Sequence, residues 1–540
     1  MKTINGQMLK MMFISGSNNL YNHYPEIDAL NVFPVPDGDT GMNMNLTLTS
    51  GTKEIINRPD NSCGVIAKVF SRGLLMGARG NSGVITSQIF RGFAQGLDGK
   101  ESIDALDFAS ALVKGTEVAY KAVVKPVEGT ILTVIRETSQ YLLDNVKEGM
   151  TFDKVMSLVL KEANESLLHT PDLLPILKEV GVVDSGGAGL IKIFEGMKSA
   201  LNGKIIERSQ ATAVEKNDDE DQSNDSQVDD YDIELRILLD KGNNKKNFDE
   251  TRVQTGLSAR ANDISINKND NEVIISLHSK VPGNVLNYVH QYGEFASIKI
   301  ENKLLSAIPQ KEVIVKKPRQ KYALIAVSSG SGIDEYFTSI GVSEIVKGGQ
   351  TMNPSAEDFL AAIKSANADN IFIFPNNSNI VMAASQACDV LDDDSIHAYV
   401  IPSKTIPQGI TSAINFNPEE SPEENFKIMK AALRNVKSGE VTTSIRDTEI
   451  NGISVKKDEY IAIMEKNIVA SGKSCLETTI SLVSMMVDDE NSIITVLVGQ
   501  DVDDEQKKLL KKALEEKFSD LDIDIVDGNQ PVYPFLIGVE

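Results

Sequence analysis

Between about Ser209 and Asp230 the chain carries Glu215, then Asp218-Asp219-Glu220-Asp221, Asp225 and Asp229-Asp230, scattered among Asn, Gln and Ser. Such a segment cannot bury enough apolar area to offset the entropy of ordering it. Its like charges also repel one another and extend it. It is read as a flexible linker, and the parts on either side must each fold on a core of their own. At roughly 100–200 residues per domain, 540 residues accommodate about three or four domains. The reading here is a multidomain chain: a first domain over 1–204, the acidic linker over 205–230, a middle domain over 231–318 and a last domain over 319–540.

The hydrophobic period differs in the three parts. Before the linker, Leu106, Ala109, Val113, Tyr120 and Val124 share one face at helical spacing, after Ser102 and Asp104 at a helix start. Pro126 ends or bends that helix. Long segments of this kind between Gly-rich turns predict an all-α first domain. After the linker, Ile233, Leu235 and Ile237 alternate with polar residues, and Val273-Ile274-Ile275-Ser276-Leu277 reads as a second strand. That predicts a small α+β unit. In the last part, strands Ala323–Val327, Ile371–Phe374, Ala398–Ile401 and Ile493–Val498 alternate with helical stretches. Ser355 is placed to cap one such helix, with Asp358 as its capping-box partner. This predicts an α/β domain with parallel pairing.

The bulk chemistry excludes several functions. The net charge of −23 repels phosphate backbones and anionic lipid surfaces, so no nucleic-acid binding is expected. Met1 to Lys10 lack an apolar run behind a basic region, and no stretch reaches about 18 apolar residues. No secretory signal and no integral membrane segment are expected. Cys63, Cys388 and Cys475 stand far apart, with no CxxC pair, which fits a reducing cytoplasm.

Chemistry concentrates in the first domain. In Asn31-Val32-Phe33-Pro34-Val35-Pro36-Asp37-Gly38-Asp39-Thr40-Gly41, the prolines fix an extended approach and Gly38 and Gly41 permit a tight turn. That turn can aim the Asp37 and Asp39 carboxylates at one point. Two hard oxygen donors in a rigid loop suit Mg²⁺ shared with phosphate. Asn31, Asn43 and Asn45 can add neutral oxygens. Alone, the loop reads equally as a turn with solvated aspartates. Gly77-Ala78-Arg79-Gly80-Asn81-Ser82-Gly83 feeds an apolar helical stretch, as a phosphate-cradling loop would, although a plain helix cap has the same signature. It is neither a Walker A loop nor GxGxxG. Lys125-Pro126-Val127-Glu128-Gly129-Thr130 and Val182-Val183-Asp184-Ser185-Gly186-Gly187 are two more such turns. All four are expected to cap neighbouring helices at one end of the domain, where a nucleotide could lie across them.

These four motifs occur in the order seen in the nucleotide-binding subunit of dihydroxyacetone kinases, which the first domain (a DAK2, or DhaL-like, domain) resembles. The whole chain resembles the ATP-binding subunit of bacterial fatty acid kinases, in which that domain is fused to a middle domain and a DegV-like C-terminal domain. Gly348-Gly349-Gln350-Thr351-Met352-Asn353-Pro354-Ser355, Pro375-Asn376-Asn377 and Ile406-Pro407-Gln408-Gly409 carry the resemblance through the last domain. It implies a helical barrel whose loops hold Mg²⁺ and ATP. Asp37 and Asp39 would ligate the metal. In the dihydroxyacetone kinases a third carboxylate precedes this pair, and Asn31 stands in the corresponding place as a candidate metal neighbour. Gly80, Asn81, Ser82 and Gly83 would contact phosphates, with Thr40, Asn43 and Thr130 as further nucleotide-loop contacts and Asp184 on the nucleoside side. The implied reaction is phosphorylation of a fatty acid carboxylate, giving an acyl phosphate. The acid would be presented by a separate DegV-type fatty-acid-binding protein that docks on the last domain. A homodimer is also implied.

The middle domain departs from that family. Where its members carry Cys in a Tyr-Cys-x-Glu strand, this chain has Asp232, and one His of a His-x-His pair is Ser276. Asp232 and His278 remain, a poor set for Zn²⁺, so no tight zinc is expected. Two other functions stay open on the sequence. One is a kinase for a small keto or hydroxy compound, although the substrate domain such enzymes need is missing. The other is a non-catalytic nucleotide-binding scaffold.

Overall fold

A computed structural model describes residues 1–32, 37–209, 231–239, 248–258, 261–269, 271–279, 282–302, 318–349, 352–444, 447–450, 452–465 and 467–540. Linker residues 210–230, the approach residues Pro34 and Pro36, and Gln350 and Thr351 lie outside the described residues. The chain divides into two compact units, one formed by residues 1–210 and 316–540 and the other by residues 211–315. The helical part and the C-terminal α/β part thus belong to one unit.

The helical part contains α1 (Gly6–Asp28), α2 (Thr40–Ile55), α3 (Cys63–Met76), α4 (Gly80–Gly96), α5 (Ala105–Ala122), α6 (Ile131–Asn145), α7 (Phe152–Leu173), α8 (Pro175–Val180) and α9 (Ser185–Leu201). From α1 to α7 each helix packs on the next, α7 packs on α9, and α9 returns against α1 to close a ring. Its interior is apolar and aromatic. Phe13 stacks on Phe70 at 4.3 Å, and Phe90, Phe93, Phe108 and Phe152 continue the row edge to face. Local signals set the helix ends. Asp104 accepts the Asp107 amide at 3.0 Å while Asp107 accepts that of Asp104, a complete capping box. The buried face of α5 is only partly the expected one: Ala109 is buried and Val113 and Tyr120 are half-buried. Phe108, Leu112, Thr116 and Ala119 point inward, whereas Leu106 and Val124 are exposed. Phe108, the largest apolar side chain of the helix, faces the core, and Leu106, two residues away, then points outward. Val124 lies beyond the helix end.

Among the described residues the C-terminal part contains two large sheets and a two-stranded one, Thr448–Ile450 with Ile453–Val455. The first runs in the order His397–Val400, Ala368–Phe374, Gln320–Ser328, Glu344–Lys347, and all its pairs are parallel as expected. The second is six-stranded: Asn467–Gly472, Tyr460–Met464, Lys437–Thr443, Phe535–Val539, Ile493–Val498, Asp522–Asp527. It corrects the expectation of parallel pairing, because only Ile493–Val498 with Asp522–Asp527 is parallel. Ser355 accepts the Asp358 amide and Asp358 accepts that of Ser355, so the proposed capping box starts helix Ala356–Ala366.

The other unit is a four-stranded antiparallel sheet, ordered Asn262–Asn269, Glu272–Ser279, Tyr231–Leu238, Glu294–Asn302, with helices Glu250–Ser258 and Pro282–Val289. Asp232 and His278 face each other across neighbouring strands, with His278 Nε2 2.6 Å from Asp232 Oδ1. Among the described residues no three His, Cys, Asp or Glu side chains converge as a metal cluster. No described helix is long and apolar enough to cross a membrane.

Candidate functional site

Asp39 occupies the N-cap position of α2 but makes no side-chain cap bond. Asp28, at the end of α1, does that work. Its Oδ1 accepts from Gly41 N at 2.6 Å and Met42 N at 3.1 Å. Gly41 is required there, since a Cβ would strike the carbonyl of Tyr24. The Asp39 carboxylate is thereby released from capping. Gly38 turns the chain with φ +63° between the two aspartates.

Asp37 and Asp39 lie within hydrogen-bond reach of each other. Burial, and then the neighbouring Asp39 charge, push the Asp37 carboxyl up to about 8. Burial also raises Asp39, against hydrogen bonds from Asn43, Asp37 and Asn353 that favour its ionised form. Burial raises Asp28 to about 6, in spite of its two backbone donors. Among the described residues no Lys, Arg or His forms an ion pair with either carboxylate. Two carboxylates held together without a counter-charge make a site that a proton or a cation must complete.

Asn31 donates from Nδ2 to Asp37 Oδ1 at 2.6 Å. It therefore serves as a support for Asp37. The third carboxylate of the cluster is Asp28, three residues earlier, which sequence reading missed. The spacing of a residue that caps a helix twelve positions downstream falls under no local capping pattern.

The glycine loop closes on α2. Gly80 has φ +59°, and a Cβ on it would collide with the Asn43 amide; one on Gly83 would collide with Thr47 Oγ1. Ser82 Oγ donates to the Thr40 carbonyl at 3.4 Å. The first turns of α2 and α4 thus meet beside the aspartates, each with the positive end of its dipole there. Ser185 Oγ lies 3.2 Å from Thr40 Oγ1, which brings in the start of α9. Asp184, 6% exposed, caps that helix through Gly187 N at 2.7 Å. Its carboxyl is raised to about 6 by burial, against backbone donors from Gly187, Ile131 and Gly186. Through Ile131 it also ties in the start of α6, capped by Thr130. The four loops therefore share one end of the helical ring. Asp184 is turned inward to hold that end together, and Thr130 stands at its margin.

Two residues at the site come from the C-terminal part. Asn353 Nδ2 donates to Asp39 Oδ2 at 2.5 Å and to Asn43 Oδ1 at 3.4 Å. Asn379 Nδ2 donates to Asp37 Oδ2, and its own Oδ1 accepts from Asn81 Nδ2 at 3.1 Å. Arg79 fixes the contact by donating to the Asn353 carbonyl at 2.7 Å and approaching Asp358 to 3.6 Å. Ala78 and Val84 join the apolar cluster of Ala356, Phe359, Ile380 and Ala384. Beside Asp28, Asn31 and Asp37 opens a cavity of about 450 Å³, whose far walls include Asn377, Thr405 and Ile463.

Family comparison covers most of the sequence. Residues 34–199 match the DAK2 domain, 230–306 the middle domain of the FakA-like fatty acid kinase proteins, and 323–540 their C-terminal domain. The chain is 41% identical to protein YloV of Bacillus subtilis (strain 168), over 100% of both chains. It is 40% identical to an uncharacterized protein of Staphylococcus aureus (strain MRSA252), over 99% of both. A DegV family protein from Corynebacterium glutamicum is similar at 15% identity with a TM-score of 0.31, covering 41% of this chain and 96% of that one. The chain belongs to the FakA-like fatty acid kinase family, with a DAK2 domain followed by that family's middle and C-terminal domains.

Proposed function

We propose that the chain is the ATP-dependent component of a fatty acid kinase. It phosphorylates the carboxylate of a fatty acid carried by a separate DegV-type fatty-acid-binding protein and yields an acyl phosphate. Family membership supports a phosphotransferase of the fatty acid kinase type. The observation that carries the finer reading is the Asp37–Asp39 pair, held together with no ion-paired counter-charge among the described residues where the first turns of α2 and α4 meet.

The residues fit magnesium and a nucleotide. Asp37 and Asp39 offer hard oxygens at one point, and Gly80 and Gly83, without side chains, let the first turn of α4 close on Asn43 and Thr47 of α2 beside them. The Oδ1 atoms of Asn45 and Asn353, both buried, have no partner among the described residues. Asp37 and Asp39 would hold the cation, with Asp28 behind them fixing the loop. Bound there, magnesium supplies positive charge to phosphate oxygens. The first-turn amides of α4 around Gly80, Asn81, Ser82 and Gly83 hold phosphate anions. Thr40 and Asn43 order the facing turn of α2. Asp184 keeps the starts of α6 and α9 in register, and Thr130 borders the nucleotide. The acceptor needs no strong general base, because a carboxylic acid of pKa roughly 4–5 is already ionised near neutrality. The chain's contribution is positioning and charge.

Incubation with Mg²⁺–ATP, a fatty acid and a DegV-type binding protein should give acyl phosphate, trapped as the hydroxamate, and none when the binding protein is left out. Phosphorylation of dihydroxyacetone instead would favour the small-molecule kinase. Bound ATP without turnover of either acceptor would favour a scaffold.

A further inference from the structure

We infer that Asn353 and Asn379, contributed by the C-terminal part, are positioning residues of the metal site: they orient the two carboxylates, and Asn353 holds an acceptor ready for a donor that arrives with the hydrated cation. The inference rests on the reading of Asp37 and Asp39 as metal ligands.

Each amide is placed by other bonds before it meets its aspartate. Asn379 takes the Asn81 amide on Oδ1 at 3.1 Å, and its backbone N–H donates to Asn377 Oδ1 at 2.8 Å. Nδ2 is then directed at Asp37. The Asn353 backbone is held by Arg79, by the bridge pairing of Arg79 with Ser355, and by the capping box that follows at Ser355. Its Nδ2 is directed at Asp39. Both residues are 4% exposed, so neither is a loose surface contact. A carboxylate that ligates a metal binds better when its remaining lone pairs are held by fixed donors, and removal of such a donor typically weakens metal binding by about 10–100-fold.

Asn353 carries a second sign. Its Oδ1 is buried and unpartnered among the described residues, although Nδ2 of the same amide makes two bonds. Buried acceptors are rarely left so. A water carried in by a cation at Asp39 is a donor of the right kind. The C-terminal part is on this account a component of the kinase site as well as a neighbour packed against it.

The test uses the full chain with a non-hydrolysable ATP analogue at saturation, Mg²⁺ titrated calorimetrically, and the unfolding midpoint recorded without metal. Asn353→Ala and Asn379→Ala should each raise the Mg²⁺ Kd by about 10–100-fold with little change in midpoint. Gln386→Ala is the control at the same interface. It removes bonds to Ser87, Gln88 and the Leu75 carbonyl, away from the aspartates. It should lower the midpoint and leave the Mg²⁺ Kd unchanged. Wild-type Kd in both Asn variants would overturn the inference, as would a Gln386→Ala variant weakened as much as they are, which would reduce the effect to domain docking. If one Asn variant fails to fold, the other decides alone, since the two amides serve different carboxylates. Absence of Mg²⁺-dependent nucleotide binding in the wild type would instead remove the functional reading, and this inference with it.

Discussion

Asp28 accepts the backbone N–H of Gly41 at 2.6 Å and so caps a helix to which it does not belong. Removing that acceptor with Asp28→Ala should destabilise the chain by about 0.5–2 kcal/mol, the usual cost of a lost cap. It should also loosen the aspartate loop and slow turnover. Asp28→Asn keeps an oxygen for the same bond and should lose much less stability. Urea unfolding of both variants checks this. Equal losses in the two would mean that the charge of Asp28, and not its acceptor, matters.

Gly80 combines a positive φ with a close approach to Asn43. Gly80→Ala should cost about 1–3 kcal/mol in strain and crowding and should weaken binding of an ATP analogue. Gly99 also has a positive φ, +72°, but has open space around its Cα. Gly99→Ala should show the backbone cost alone, with nucleotide affinity intact. Melting curves and analogue titrations on the pair separate strain from site geometry. Unchanged affinity in Gly80→Ala would refute the cradle.

Asp184 should leave a pH signature on stability. Its carboxyl sits at about 6 in the folded chain against an ordinary value of 3.8. The folded state therefore holds a proton that the unfolded state has lost between those values, and this contribution declines as pH rises from about 4 to 6. Asp184→Asn keeps a capping oxygen and removes the titration. Relative to wild type it should gain stability as pH is raised from 4 to 7, in denaturant unfolding without Mg²⁺. A relative gain on acidification would show that the backbone donors outweigh burial.

The sequence disclosed what is decided within three or four residues. The helix start at Asp104, the capping box at Ser355 and the Gly38 turn depend on local side-chain and backbone chemistry, so residue type and spacing reveal them. Of the inward face expected for α5, Ala109 is buried but Leu106 and Val124 are not: both fit the period, while packing on Phe93 and Phe152 chose the face of Phe108. The second sheet was missed for a similar reason. Val441 and Ile537 lie on neighbouring antiparallel strands whose register is set by partners nearly a hundred residues away. At the site, Asp37, Asp39, Gly80 and Asn81 stood out as motifs. Asn353 stood only in a motif of the last domain and Asn379 in none, because nothing local to them marks contact with residues more than 300 positions earlier.

Function and stability should separate at the aspartate pair. Asp37→Asn removes a carboxyl whose ionisation is opposed by burial and by Asp39. The metal-free variant should melt at or above the wild-type temperature, as expected where a site holds like charges for use rather than for stability. A fall of many degrees would mean that Asp37 serves the fold.

The most direct measurement is the rate of acyl-phosphate formation from Mg²⁺–ATP and a fatty acid loaded on a DegV-type binding protein, compared among wild type, Asp37→Asn and Asp39→Asn. The account predicts turnover that depends on the binding protein in the wild type, and loss of it in both folded variants. Wild-type rates in both variants, or a wild-type chain that makes no acyl phosphate with its carrier present, would contradict it.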